Sequence, residues 1–126
     1  MPPEKTDAGW LWDMLDAANA VTEFIRDKTL PQYVSDRWLR SAVERQIKII
    51  GEAARHVSTE FQSAHGEILW RPIIAQRHVL AHEYGELRHD LLWRVAVVHI
   101  PELVVALTPL VQSTPSAELP PLSSQP

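Results

Sequence analysis

The stretch Ser35-Asp36-Arg37-Trp38-Leu39-Arg40-Ser41-Ala42-Val43-Glu44-Arg45-Gln46-Ile47-Lys48-Ile49-Ile50-Gly51-Glu52-Ala53-Ala54-Arg55-His56-Val57 decides the fold class. Its apolar residues return every three or four positions, as Trp38/Leu39, Ala42/Val43, Ile47, Ile49/Ile50, Ala53 and Val57. That is the period of a helix with one buried side, not the alternation of a strand. Ser35-Asp36 supplies a side-chain oxygen for the first free amides, so the helix is expected to run from there to about 57. Its second half is apolar over a wide arc, which requires more than one packing neighbour. Gly51 and Ala53-Ala54 remove side-chain bulk and let another helix approach closely.

The flanks repeat the same period. Residues 8 to about 28 carry Leu11, Leu15, Ala18, Thr22 and Ile25 on one stripe, flanked by Met14 and Val21, and Leu30-Pro31 ends that helix. After a short irregular or single-turn segment over about 58–69, Trp70-Arg71-Pro72 opens a third helix, since proline suits a first turn. Ile73, Ile74 and Leu80 are its inward residues, and Tyr84-Gly85 is its expected end. A fourth helix with Leu92, Val95, Val98 and Leu103 follows, kinked or restarted at Pro101. The reading is an all-α bundle of four to five helices over residues 1–108. A Pro/Ser-rich stretch, 109–126, has too little apolar content to fold and is expected to be disordered. No strand pattern, glycine-rich phosphate loop or internal repeat is present.

At 126 residues the chain fits one domain with a core of its own, and without cysteine it can form neither a disulfide nor a thiolate zinc site. No apolar run approaches membrane-spanning length and the start lacks a signal-peptide pattern, so a soluble cytoplasmic protein with no membrane partner is expected. The net charge of −4 is unevenly spread. Residues 1–30 are acidic, whereas 37–56 carry Arg37, Arg40, Arg45, Lys48 and Arg55 against Glu44 and Glu52. Charge alone reads most simply as solvated helix faces, with a positive cleft as the sharper alternative.

The chemistry sits in Arg77-His78-Val79-Leu80-Ala81-His82-Glu83-Tyr84. On a helix, positions 77, 78 and 82 fall near one face, bringing a permanently charged guanidinium beside imidazoles that exchange protons near neutral pH. RNA is cut without metal when its own 2′-hydroxyl attacks phosphorus, given a base, an acid and a cation for the phosphorane. His82 suits the base or acid and Arg77 the clamp; two copies sharing a cleft would complete the set. The plain alternative is a capping histidine and a surface arginine at a helix C-terminus. His78 and His82 have chelating spacing, but Arg77 and Arg88 nearby disfavour a cation, so no metal or other cofactor is expected. His56, His65 and His99 are read as packing or solvent residues. Trp10, Trp38 and Trp93 are read as core or dimer contacts before base-stacking platforms.

Four separate motifs then carry a resemblance over about residues 10–107: Ala42-Val43-Glu44-Arg45 with Ile49-Ile50-Gly51-Glu52-Ala53-Ala54; Trp70-Arg71-Pro72-Ile73; the Arg77–Tyr84 octet; and Trp93 with Pro101-Glu102-Leu103. In their order and spacing the chain resembles the HepT-like branch of the HEPN superfamily, the toxin half of HepT/MntA toxin–antitoxin pairs of type VII. The resemblance implies a helical bundle that forms a homodimer, with a composite metal-independent endoribonuclease site acting on RNA. It implies Arg77 and His82 as the catalytic pair and Tyr84 as the tyrosine that a cognate MntA-like minimal nucleotidyltransferase antitoxin adenylylates. His78 stands where the family usually has a polar residue, often Asn, and is taken as a supporting or substrate-binding residue. The competing expectation is a non-catalytic helical module that docks a nucleotidyltransferase partner or a nucleotide. A weaker third reading is a metal-dependent hydrolase using His78 and His82.

Overall fold

Thr6 accepts a hydrogen bond from the Gly9 amide and starts α1, Asp7–Ile25; the helix ends where Asp27 takes a left-handed conformation (φ 61°). The computed structural model describes residues 5–75 and 89–113. Leu11, Met14, Ala17, Ala18 and Val21 form the buried side of α1. Leu15, Thr22 and Ile25, expected on the stripe, are only partly buried, so the core-facing side is rotated toward Met14 and Val21.

Leu30-Pro31 does not end α1 as expected, since that helix already stops at Ile25 rather than about 28. The pair opens a short helix, α2 (Leu30–Ser35), held by a capping box in which Thr29 and Gln32 satisfy each other's backbone amides. Asp36 then caps α3, Arg37–His56, through the Leu39 amide at 3.0 Å. Leu39, Val43, Ile47, Ile50, Ala53 and Ala54 are buried along it as the period demands. Trp38 departs from the expectation: it is 84% exposed, whereas Leu39 beside it is buried, so the edge of the core-facing stripe falls between the two. The largest helix–helix contact is α1 on α3, and both helices bury small residues, Ala17 and Ala18 on α1 and Gly51, Ala53 and Ala54 on α3.

The corner after α3 is more ordered than an irregular segment. Ser58 caps α4 (Thr59–Ala64), and the Asp7 carboxylate accepts from both the Ser58 amide (2.9 Å) and its hydroxyl (2.6 Å). That clamp ties the start of α1 to the end of α3. Residues 70–75 are helical and form the described turns of α5, opened by Trp70-Arg71-Pro72 as expected.

The chain is described again from α6, His89–Arg94, which passes through a π-helical segment, Val95–His99, into α7, Ile100–Ser113. Pro101 has no amide hydrogen and its ring crowds the carbonyl four residues back; widening to i+5 bonding, with the Ile100 amide on the Val95 carbonyl, relieves this. The expected kink is therefore a π-turn. Leu92, Ala96, Ile100, Leu103 and Leu107 face the core, whereas Val98, expected inside, is exposed. α7 also runs through Pro109 to Ser113, past the boundary expected at 108. Pro109 cannot donate to the carbonyl four residues back, that of Val105, and this residue is 75% exposed. The remaining tail residues, 114–126, and the expected helix end at Tyr84-Gly85 lie outside the described residues. No strand is present among the described residues.

The helix from His89 to Gln112 is long and apolar enough to cross a membrane by length and composition, with 22% of its most apolar window buried. The sequence reading missed this because Asp90, Arg94 and Glu102 interrupt every apolar run without lowering the average much. One such helix in a bundle whose core it completes is weak grounds for a membrane span.

Candidate active site

Arg77, His78, His82 and Tyr84 all lie in residues 76–88, outside the described residues. What the structure gives is the frame on which that segment is strung. On the near side, Trp70 is buried, its indole donates to the His65 carbonyl (3.0 Å), and its edge meets Phe61 (6.4 Å between centroids). Ile73 and Ile74 then pack against the core. On the far side, Leu92 is buried and Trp93 lies 5.4 Å from the Tyr33 ring, joining α6 to α2. Both anchors are core contacts, so the motif springs from rigid elements, as catalytic segments commonly do.

Two polar atoms near the far anchor are unusual. Tyr33 is fully buried, yet among the described residues its hydroxyl has no hydrogen-bond partner, and neither does the buried Nδ1 of His89. His89 stands four residues before Trp93, the residue Tyr33 touches. Burial, reinforced by Glu44 and opposed by Arg40, pushes the Tyr33 phenol up to about 12, so it is a hydrogen-bond donor throughout the neutral range. Buried unpaired groups are rare and concentrate at functional or strained places. The sequence reading missed both residues; the only signal near Tyr33 was the Thr29/Gln32 capping pair.

The other histidines fall where they were expected. His56 stacks on Trp10 (4.4 Å) and meets Glu52 at 2.9 Å; His65 stacks on Phe61 (4.3 Å); His99 meets Glu102 at 3.5 Å on the surface. Trp10 and Trp93 pack against the core, but Trp38 does not. An apolar cavity of about 340 Å³ opens between α3, the start of α5 and the π-segment, lined by Ile47, Ile50, Ile68, Ile73, Val95 and Leu103.

Charge is segregated as the sequence suggested. Arg37, Arg45 and Lys48 are exposed on α3, and among the described residues none of them forms an ion pair. Arg40 donates to the Val34 carbonyl, and Arg55 is held by Glu52 (2.8 Å), a contact that raises its pKa further.

An all-helical bundle with an Arg-x4-His-x-Tyr segment strung between two core anchors defines a chain of HEPN type. The family model for HepT-like ribonucleases matches residues 14–109, and the chain belongs to that family. "Putative RNase MJ1380" of Methanocaldococcus jannaschii is 31% identical over 94 residues, covering 75% of this chain and 86% of the relative. The "Probable ribonuclease HepT" of Thermococcus cleftensis is 30% identical over 100 residues, covering 79% and 91%. No solved structure matches the chain significantly.

Proposed function

We propose that this chain is the ribonuclease toxin of a cytoplasmic toxin–antitoxin pair, a metal-independent endoribonuclease that works as a homodimer. The observation that carries the reading is the family match over residues 14–109, within which Arg77, His82 and Tyr84 keep the motif's spacing. In the reaction the 2′-oxygen of RNA attacks the adjacent phosphorus while a histidine takes its proton. The bond from phosphorus to the 5′-oxygen breaks, a second histidine protonates that leaving oxygen, and a 2′,3′-cyclic phosphate remains. Arg77 holds the non-bridging oxygens and offsets the charge of the phosphorane. One chain offers one His82, so the paired acid and base come from two copies, and His78 supports the phosphate or its neighbour.

The underburied face of the helix from His89 to Gln112 supports a homodimer: Leu91, Val98 and Val105 are exposed on it. Regulation follows the same reading. The Tyr84 oxygen attacks the α-phosphorus of ATP held by a minimal nucleotidyltransferase, pyrophosphate leaves, and the adenylyl group blocks the site.

The test is cleavage of total RNA by the purified, unmodified chain in the presence of chelator, with His82→Ala alongside. Cleavage lost in a folded, dimeric His82→Ala is the expected result. Retained cleavage in that variant refutes the site, and no cleavage by the wild type favours the binding-module alternative.

A further inference from the structure

We propose that the solvent face of α3, headed by Trp38, is a binding track for single-stranded RNA. The choice of RNA rests on the ribonuclease reading; the track itself rests on the structure. Trp38, Ser41, Arg45 and Lys48 follow one another at intervals of three, four and three, which lines them along one helix face. At about 1.5 Å per residue the row extends about 15 Å. All four residues are exposed, and Arg37 beside Trp38 is exposed too.

Three features set this face apart from an ordinary solvated helix. Its cations are unspent: among the described residues no carboxylate pairs with Arg37, Arg45 or Lys48, whereas Arg40 and Arg55 on the same helix are engaged. An exposed tryptophan heads it, open to solvent over 84% of its surface in a chain that buries or half-buries Trp10, Trp70 and Trp93. And the chain as a whole carries a net charge of −4, so a cationic row is a local arrangement against the global sign. Unpaired cations that hold phosphates beside an aromatic ring that stacks an unpaired base are the parts of a single-strand site.

A second copy of the chain is the competing occupant, and charge argues against it. A two-fold contact through this face would set the cationic row of Arg37, Arg45 and Lys48 against the same row of the other copy. The apolar side of the α6–α7 rod, without such a row, is the better surface for a copy. The track also lies close to the far anchor of the catalytic segment. α2 packs on both α3 and α6, and Tyr33 of α2 touches Trp93.

The experiment uses a fluorescein-labelled single-stranded 2′-O-methyl RNA, which binds but lacks the attacking hydroxyl. Anisotropy titrations compare the full chain with Trp38→Ala, Trp38→Phe and the double variant Arg45→Ala/Lys48→Ala. Trp38→Ala is expected to weaken binding by about 5- to 100-fold, with Trp38→Phe retaining most of it. The double variant is expected to flatten the dependence of log affinity on log salt by about 1.4, two phosphate contacts' worth. Fully paired RNA should not feel the Trp38→Ala change. On cleavable RNA the same variants should raise KM while kcat holds.

Unchanged affinity in both folded variants overturns the proposal. So does a Trp38→Ala chain whose association state shifts in sedimentation while its RNA affinity does not, which assigns the face to a second copy. A wild-type chain that binds the probe but cleaves no RNA overturns the ribonuclease reading alone. Trp38→Ala cleaving at the wild-type KM overturns this one alone.

Discussion

Tyr33 is the residue whose environment makes the most definite demand. Its ring meets Trp93 of α6, and its hydroxyl has no hydrogen-bond partner among the described residues. With the folded value near 12 against an ordinary 10, the folded state keeps a proton that the unfolded chain gives up. Stability from this group is therefore intact below about pH 10 and is lost as pH rises toward 12, by about 2–3 kcal/mol in all. Tyr33→Phe is expected to abolish that alkaline decline in denaturant titrations, and to be neutral or slightly stabilising at pH 7 because an unpaired buried hydroxyl is removed. Asp7 makes the opposite case. Its carboxylate accepts two hydrogen bonds from Ser58, joining positions far apart in sequence. Asp7→Ala should cost about 1–3 kcal/mol in the same assay.

Among the elements, the long helices were legible and the short or irregular ones were not. Leu39, Val43, Ile47 and Ile50 declare α3 because about three turns of consistent period leave no other reading. Trp38 was misplaced for a reason that periodicity cannot cure: it adjoins the buried stripe, and the period alone does not say which side of the border it takes. The six residues of α2 are too few to show a period, and its sole advertisement was the Thr29/Gln32 box, read past because Pro31 looked like a stop. Thr29→Ala should lower stability by about 1 kcal/mol. Pro101 gave away a disturbance in the last helix without saying which kind. The π-segment takes up one residue more than a regular turn and so relieves the crowding at Pro101. The candidate site was legible as a spacing, Arg77 to His82 to Tyr84. Its surroundings were not, because Tyr33 reaches Trp93, the far anchor, from an element distant in sequence.

At the scale of the whole molecule, chemistry is divided between faces. α1 turns acidic residues to solvent, α3 turns cations and Trp38, and the α6–α7 rod turns valines. For the proposed homodimer, charge placed in the valine face should separate copies without unfolding either: Val105→Glu, 75% exposed in one chain, is expected to shift sedimentation to monomer with little change in Tm. Under the proposed shared site, RNA cleavage should fall with it. The far end of α7 belongs to the fold. Leu110 and Val111 pack against the core, so ending the chain after residue 108 should destabilise it by about 1–3 kcal/mol.

The packing of α1 against both α3 and α7 has a consequence in time. On the ribosome α1 and α3 can pair early, but the side of α1 that α7 covers stays open until the distant α7 has been made. Closing that long loop is the slow step of the topology. Until α7 has emerged, the nascent chain therefore keeps the apolar side of α1 that α7 covers open to water.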